Sequence, residues 1–354
     1  MKRVVIIGGG FAGTYAAKKL QRDFNVTIID CKDYFEFTPG ILRTITEPEH
    51  LNKIQILHKD YLKKAKFICG HVSEVGKNFV KIKNKIISFD YLIIASGSRY
   101  ESPIKEQDVL SSARTKEVLD YNFKLKKAKR VTIIGGGLVG VELASEITSR
   151  FKEKEITIIQ ADEKIMPRSS ERSIKYAKEF LEKSKVKIIY DEKAIKKENN
   201  SLITNKGTKI KYDLAFLCTG IKANSEFMKK NFSKLINEKD QIKVNDFLQM
   251  EGFNNIFVAG DVSSVLEEKL AQVARYHAQY IVKNIKALEK NKELKKYSKK
   301  KRVIVISLGK YNGIFEYGNF ILTGLIPSIM KSMIEKRIML EYKLSSILAK
   351  LKAK

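Results

Sequence analysis

The feature that most constrains this chain is an internal repeat. Residues 3–20 read RVVIIGGGFAGTYAAKKL, and residues 130–147 read RVTIIGGGLVGVELASEI. Each copy opens with an apolar, β-branched run, passes through clustered glycines and continues in a helical pattern rich in small residues. A second apolar run follows each copy: NVTIID at 25–30 and EITIIQ at 155–160. Strand, glycine turn, helix and strand make a βαβ unit, whose strands lie parallel and whose first turn can approach a phosphate. Two such units predict an α/β fold with two Rossmann-like dinucleotide-binding domains. The 354 residues agree, because one hydrophobic core stops growing at roughly 250–300 residues.

Gly8-x-Gly10-x-x-Gly13 follows the first apolar run and opens a helix. The glycines allow a tight turn and close approach of backbone to pyrophosphate, and the helix N-terminus adds amide donors. Asp30 stands about 20 residues on, where an acid binds a ribose hydroxyl. Gly135-x-Gly137-x-x-Gly140 repeats the arrangement, but the matching strand end carries Gln160. An acid there would favour NADH and repel the 2′-phosphate of NADPH. Gln160 does neither clearly, and Arg168 reads as a solvated side chain, so the expectation leans towards NADH. Glu142 lies one turn inside the second helix. It reads equally as a carboxylate facing the nicotinamide pocket or as an acid complementing the helix dipole.

Composition narrows the function classes. Cys31, Cys69 and Cys218 form neither a CxxC nor a CxxxxC pair, which argues against a disulfide framework and a redox dithiol. Three reduced, mostly buried thiols are expected. The net charge of +28 favours anionic partners, and a lysine-biased composition accounts for it equally well. Residues 283–302 hold ten Lys or Arg against two acids. Tyr297 is their one stacking aromatic, so nucleic acid is not an expected partner. The N-terminus lacks signal-peptide character, and no run of about 18 apolar residues predicts a membrane span. The expected location is the cytoplasm or the cytoplasmic face of a membrane.

In this order the motifs resemble the two-dinucleotide-domain flavoproteins. Within them the chain resembles the type II NADH:quinone oxidoreductases and the apoptosis-inducing-factor-like quinone reductases. The resemblance implies FAD and NADH or NADPH as cofactors, with FAD contacts at Gly8, Gly10, Phe11, Ala12, Gly13, Asp30 and Cys31. NIFVAGDV at 255–262 resembles the second FAD motif and adds Gly260 and Asp261, the latter towards the ribityl chain. Ala95-Ser96-Gly97 and Cys218-Thr219-Gly220 resemble small-residue turns that cross between the domains, the first adding Ala95, Ser96 and Gly97 to the implied FAD contacts. FEFTPGIL at 35–42 resembles the segment beside the flavin ring, which points to Thr38, Pro39 and Gly40. Ala271-Gln272-Val273-Ala274 resembles a motif lining the quinone site and adds Ala271, Gln272 and Val273 to the implied FAD contacts, although a second Gln of that motif is replaced here by Tyr276. His277 follows and reads as structural more readily than as a proton donor. Gly135, Gly137, Leu138, Val139, Gly140, Glu142, Gln160, Thr219 and Gly220 are the implied nicotinamide-cofactor contacts. Glu142, Gln272 and Pro39 are the expected catalytic group.

The resemblance places the FAD domain at 1–105 with 235–285, the NAD(P)H domain at 106–234 and a basic region at 286–354. That last region reads as a strand pair around Gly309–Gly313, then a helix from Phe320 or two helices broken near Pro327. Leu322, Leu325, Ile326, Ile329, Met330, Met333 and Ile334 recur at helical spacing, and Ile338, Tyr342, Ile347, Leu348 and Leu351 continue the trend. Lys331, Lys336, Arg337, Lys343, Lys350, Lys352 and Lys354 fall mainly between them. An apolar stripe beside cations suits a helix lying in an anionic membrane surface; packing on the chain's own core or in a homodimer is the other reading. The implied activity is reduction of a membrane quinone by NAD(P)H through FAD. The alternatives are a soluble reductase serving a ferredoxin- or rubredoxin-like protein, and a sulfide:quinone oxidoreductase, which the scattered cysteines suit poorly.

Overall fold

Strands covered on both faces need no polar alternation. In β1 (Arg3–Ile7), Val4, Val5, Ile6 and Ile7 are all buried. The chain continues through α1 (Phe11–Leu20), β2 (Asn25–Asp30), the short α2 (Ile41–Thr46), β3 (Lys66–Cys69) and β4 (Tyr91–Ile94). The second unit takes the same course through β5 (Arg130–Ile134), α3 (Leu138–Arg150), β6 (Glu155–Ile159), β7 (Lys187–Ile189) and β8 (Leu214–Leu217). The computed structural model describes residues 1–99, 111–198 and 201–351; the domain boundary expected at 105 lies outside them.

The chain then returns to the first unit. β9 (Ile256–Val258) pairs with β4, giving the strand order β9-β4-β1-β2-β3, while the second sheet runs β7-β6-β5-β8. Every pairing in both sheets is parallel. The sheets also repeat in register: Val4 lies between Val26 and Tyr91, and Val131 between Ile156 and Leu214. Helix α4 (Ala271–Leu288) packs on α1. Buried Ala16, Ala17 and Ala278 keep that contact close.

The expected C-terminal strand pair is present as β10 (Val303–Leu308) and β11 (Asn312–Tyr317), and a third strand, β12 (Phe320–Thr323), joins it. Phe320–Thr323, read from the sequence as the start of a helix, is strand because the turn at Gly318 (φ +57°) folds Phe320 back opposite Tyr317. One uninterrupted helix, α5 (Leu325–Leu351), follows. Pro327 lies in its first turn, where backbone N–H groups have no helical partner, and so does not break it. Among the described residues no helix is long and apolar enough to cross a membrane.

Candidate active site

The two glycine turns are built alike. Gly8 N donates to Ile29 O and Gly135 N to Ile159 O, both at 2.8 Å. Gly8 and Gly135 adopt φ of +105° and +108°, a region that side chains avoid. A Cβ on Gly13 would lie 1.8 Å from Gly8 O, and one on Gly140 1.9 Å from Gly135 O. Gly10 and Gly137 meet nothing within 4 Å. Each middle glycine therefore borders open space at the N-terminus of α1 or α3, where amides and the helix dipole favour a pyrophosphate. Phe11 and Ala12 are buried beneath the first turn, and Leu138 and Val139 are half-buried beside the second.

The strand ends repeat as well. Asp30 accepts from Gly9 N through Oδ2 and from Lys32 N at 2.8 Å through Oδ1. Gln160 does the equivalent with Oε1, accepting from Gly136 N at 2.7 Å. The first unit adds a residue that sequence reasoning missed. His58 is fully buried, and a Cβ on Gly9 would lie 2.5 Å from its Nε2. Nδ1 bonds to the Tyr61 hydroxyl, whereas Nε2 has no hydrogen-bond partner. Burial pushes its pKa down to about 4 despite the nearby Asp30 carboxylate, so the ring is neutral at neutral pH. An orphaned buried nitrogen beside an open glycine turn suits a polar dinucleotide, and the residues present fit FAD. No motif marks His58; only the fold brings it to Gly9.

Cys31 and Cys69, 38 positions apart, also meet here. Cys69 Sγ lies 3.5 Å from Cys31 O, at the ends of β2 and β3, Cys31 Sγ lies 3.7 Å from Gly70 O, and the two cysteines are not joined in a disulfide. Cys218 is buried, and burial pushes its thiol up to about 12, which makes it a poor nucleophile.

The segment read as a second FAD motif is held by α4. Gly260 N donates to His277 Nδ1 at 3.0 Å, and His277 Nε2 faces Glu267 at 2.6 Å. Because Nδ1 accepts, the ring proton sits on Nε2 and points to Glu267. His277 is fully buried and acts as a buttress. Asp261 Oδ2 accepts from Ser98 Oγ at 2.5 Å. The two small-residue turns meet at this point. Ser98 and Arg99 pair antiparallel with Ala223 and Lys222, and Ser96 Oγ donates to Asn224 O at 2.6 Å. Ala95 and Gly97 lead into this ladder from one unit, exposed Thr219 and Gly220 from the other.

A cavity opens where α3, β10, α5 and the segment before α2 converge. Pro39, Gly40, Arg43, Glu142, Ser307 and Lys331 are among its lining residues. Thr38, Pro39 and Gly40 form one tight helical turn at its edge. Glu142 projects beyond the first turn of α3, and Lys331 Nζ bonds to its Oε1. Ser307 N donates to the same oxygen at 3.0 Å, and Lys331 Nζ lies 3.0 Å from Ser307 Oγ. Arg43 pairs with Glu146 at 3.2 Å and His50 with Glu335 at 3.1 Å. Lys331, read from the sequence among the surface cations, is thus turned inward. Pro39 and Glu142 come together here, but Gln272 does not join them. Its Nε2 donates to Val303 O at 2.6 Å and ties α4 to β10, with Ala271 and Val273 half-buried beside it.

The family model described as Pyridine nucleotide-disulphide oxidoreductase matches residues 2–278. The chain is 36% identical over 345 residues to apoptosis-inducing factor homolog B of Dictyostelium discoideum, covering 88% of this chain and 89% of that protein. Its fold is similar to that of the sulfide:quinone oxidoreductase of Aquifex aeolicus, with a TM-score of 0.84, 18% identity and coverage of 98% and 92% of the two chains. NDH2 of Plasmodium falciparum, solved in complex with NADH, gives a TM-score of 0.82 at 15% identity over 99% of this chain and 98% of that one. With FAD and NAD(P)H as its cofactors, the chain belongs to the pyridine nucleotide-disulphide oxidoreductase family.

Proposed function

We propose that the chain draws reducing equivalents from NAD(P)H and delivers them to a quinone at a membrane surface. In this reading residues 1–105 with 235–285 hold FAD through Gly8–Gly13, Asp30, Asp261 and the turns beside them. Residues 106–234 hold the nicotinamide cofactor through Gly135–Gly140 and the Gln160 strand end. Hydride exchange and electron delivery are the chemistry that the two cofactors supply when bound. The chain contributes position and field: the glycine turns fix the pyrophosphates, and the Lys331–Ser307 pair holds the Glu142 carboxylate in one place.

The two-faced character of α5 carries the proposal. Its inner face brings Lys331 to Glu142 and buries Met339 and Tyr342 against the core. Its outer face carries Ile326, Ile329, Met333, Leu340 and Leu344, which are 57%, 48%, 63%, 52% and 46% exposed. Exposed Lys336, Arg337 and Lys343 accompany them. An apolar helical stripe flanked by cations suits insertion in the plane of an anionic membrane, each cation adding about 1 kcal/mol near the surface. The expectations for Ile347, Leu348, Lys350, Leu351, Lys352 and Lys354 lie outside the described side chains. One helix therefore joins the Glu142 cavity to the surface from which a lipid-soluble acceptor would arrive.

The test is stopped-flow flavin absorbance of the purified protein with NADH, followed by a short-chain quinone, alongside co-sedimentation with phosphatidylglycerol vesicles. Bleaching, quinone-driven reoxidation and sedimentation are the expected results. Bleaching with reoxidation only by rubredoxin or ferredoxin, and no sedimentation, would replace the proposal with a soluble reductase. Bleaching by sulfide in place of NADH would favour sulfide oxidation.

A further inference from the structure

The two units of the repeat differ in what their strand ends hold. In the first unit the strand-end carboxylate of Asp30 is itself bonded to the glycine turn. In the second unit an amide takes that place, and every donor of the amide is used. Gln160 Oε1 faces Gly136 N at 2.7 Å, while Nε2 lies 2.8 Å from Asp162 Oδ2 and 3.2 Å from Lys164 O. Only this orientation satisfies the amide, because its NH₂ must face the two acceptors and its oxygen the N–H. Gln160 is 5% exposed, so its donors cannot swing out to a 2′-phosphate without breaking these bonds.

Asp162 differs from Gln160 in both charge and exposure. It lies two residues past Gln160 and is solvent-exposed. One carboxylate oxygen is tethered by the buried amide, and the other takes no hydrogen bond among the described residues. The basic neighbours do not cancel it: Lys164 Nζ is 2.6 Å from Glu171 Oε1, and Arg168 is an exposed side chain six residues farther on. We infer that Asp162, tethered by Gln160, is the specificity-determining carboxylate of the second site: it accepts from the adenosine ribose hydroxyls of NAD(H) and repels the 2′-phosphate of NADP(H). This rests on the second unit holding the nicotinamide cofactor. The sequence pattern points to position 160; the fold moves the selective charge to position 162.

The test is calorimetric titration of the FAD-loaded protein with NAD⁺ and, separately, NADP⁺, which reads binding without turnover. NAD⁺ should bind more tightly than NADP⁺. Asp162→Asn keeps the shape and removes the charge; it should tighten NADP⁺ binding about tenfold and leave NAD⁺ within about threefold, a tenfold change corresponding to about 1.4 kcal/mol. Glu163→Gln removes a neighbouring exposed charge and should leave the ratio unchanged. Equal binding of both nucleotides by the unaltered protein would overturn the inference, as would an equal response of Asp162→Asn and Glu163→Gln. Binding of neither nucleotide, with FAD retained, would instead overturn the assignment of the second site itself.

Discussion

Lys331 and Glu142 lie 189 positions apart, yet they meet at the cavity through side chains that are each 15% exposed. Lys331→Met would leave the Glu142 carboxylate with the Ser307 donors alone, free to turn out of place. Small displacements at a reacting centre carry large rate penalties, so quinone-driven reoxidation should slow by roughly tenfold to a hundredfold, with FAD content unchanged. Stopped-flow traces with and without quinone check this, and an unchanged rate would make the pair a structural tie only. His58 acts on stability. The unfolded chain binds a proton near pH 6.5, whereas the folded chain resists until about pH 4. Its contribution is therefore complete above pH 6.5 and is lost as pH falls towards 4, a change of about 3 kcal/mol. Urea titrations at pH 7.5 and 4.5 should show His58→Gln losing less stability than the parent by most of that change.

At the scale of elements, what was legible was local. Glycine spacing and apolar runs fix β1–α1–β2 and β5–α3–β6 within a few residues each, because strand pairing and turn geometry act over short stretches of chain. The C-terminal region was legible as an amphipathic pattern but not in its division of labour. Tyr342 belongs to the apolar series by spacing, yet it stacks on Phe35 at 4.2 Å and bonds Thr14 at 2.8 Å. Nothing within α5 distinguishes it from Leu340, which stays exposed. The packed partners lie more than 300 residues away, and only the fold decides which stripe turns inward. The outward stripe can be tested by itself. Ile329→Glu with Met333→Glu places two acids on the exposed face and should abolish vesicle co-sedimentation, while NADH-driven bleaching persists because Lys331 and Tyr342 are untouched. Retained sedimentation would move the membrane contact elsewhere, and lost bleaching would mean that the outer face supports the site.

Across the whole molecule, the first sheet is closed only when β9 returns from residue 256 to β4, and the second FAD motif follows at once. The paired glycine repeat foretells two nucleotide sites. It does not foretell that, in the proposed reading, the first would be completed by Asp261, by a buried ring at His58 and by the 98–99 and 222–223 ladder, since each belongs to a different stretch of chain. FAD bound here would bridge segments that only the folded state assembles, so it should stabilise folded over unfolded protein by mass action. At a thousandfold excess over its dissociation constant that amounts to about 4 kcal/mol. For a chain of this length the corresponding change in melting temperature is about 5 °C. Removing the flavin by mild chaotrope and dialysis should lower the calorimetric melting temperature by that amount, and adding FAD back should restore it. If the deflavinated protein melts unchanged, the Gly8–Gly13 turn and the Asp261 loop do not grip the cofactor together, and the first site would have to be placed elsewhere.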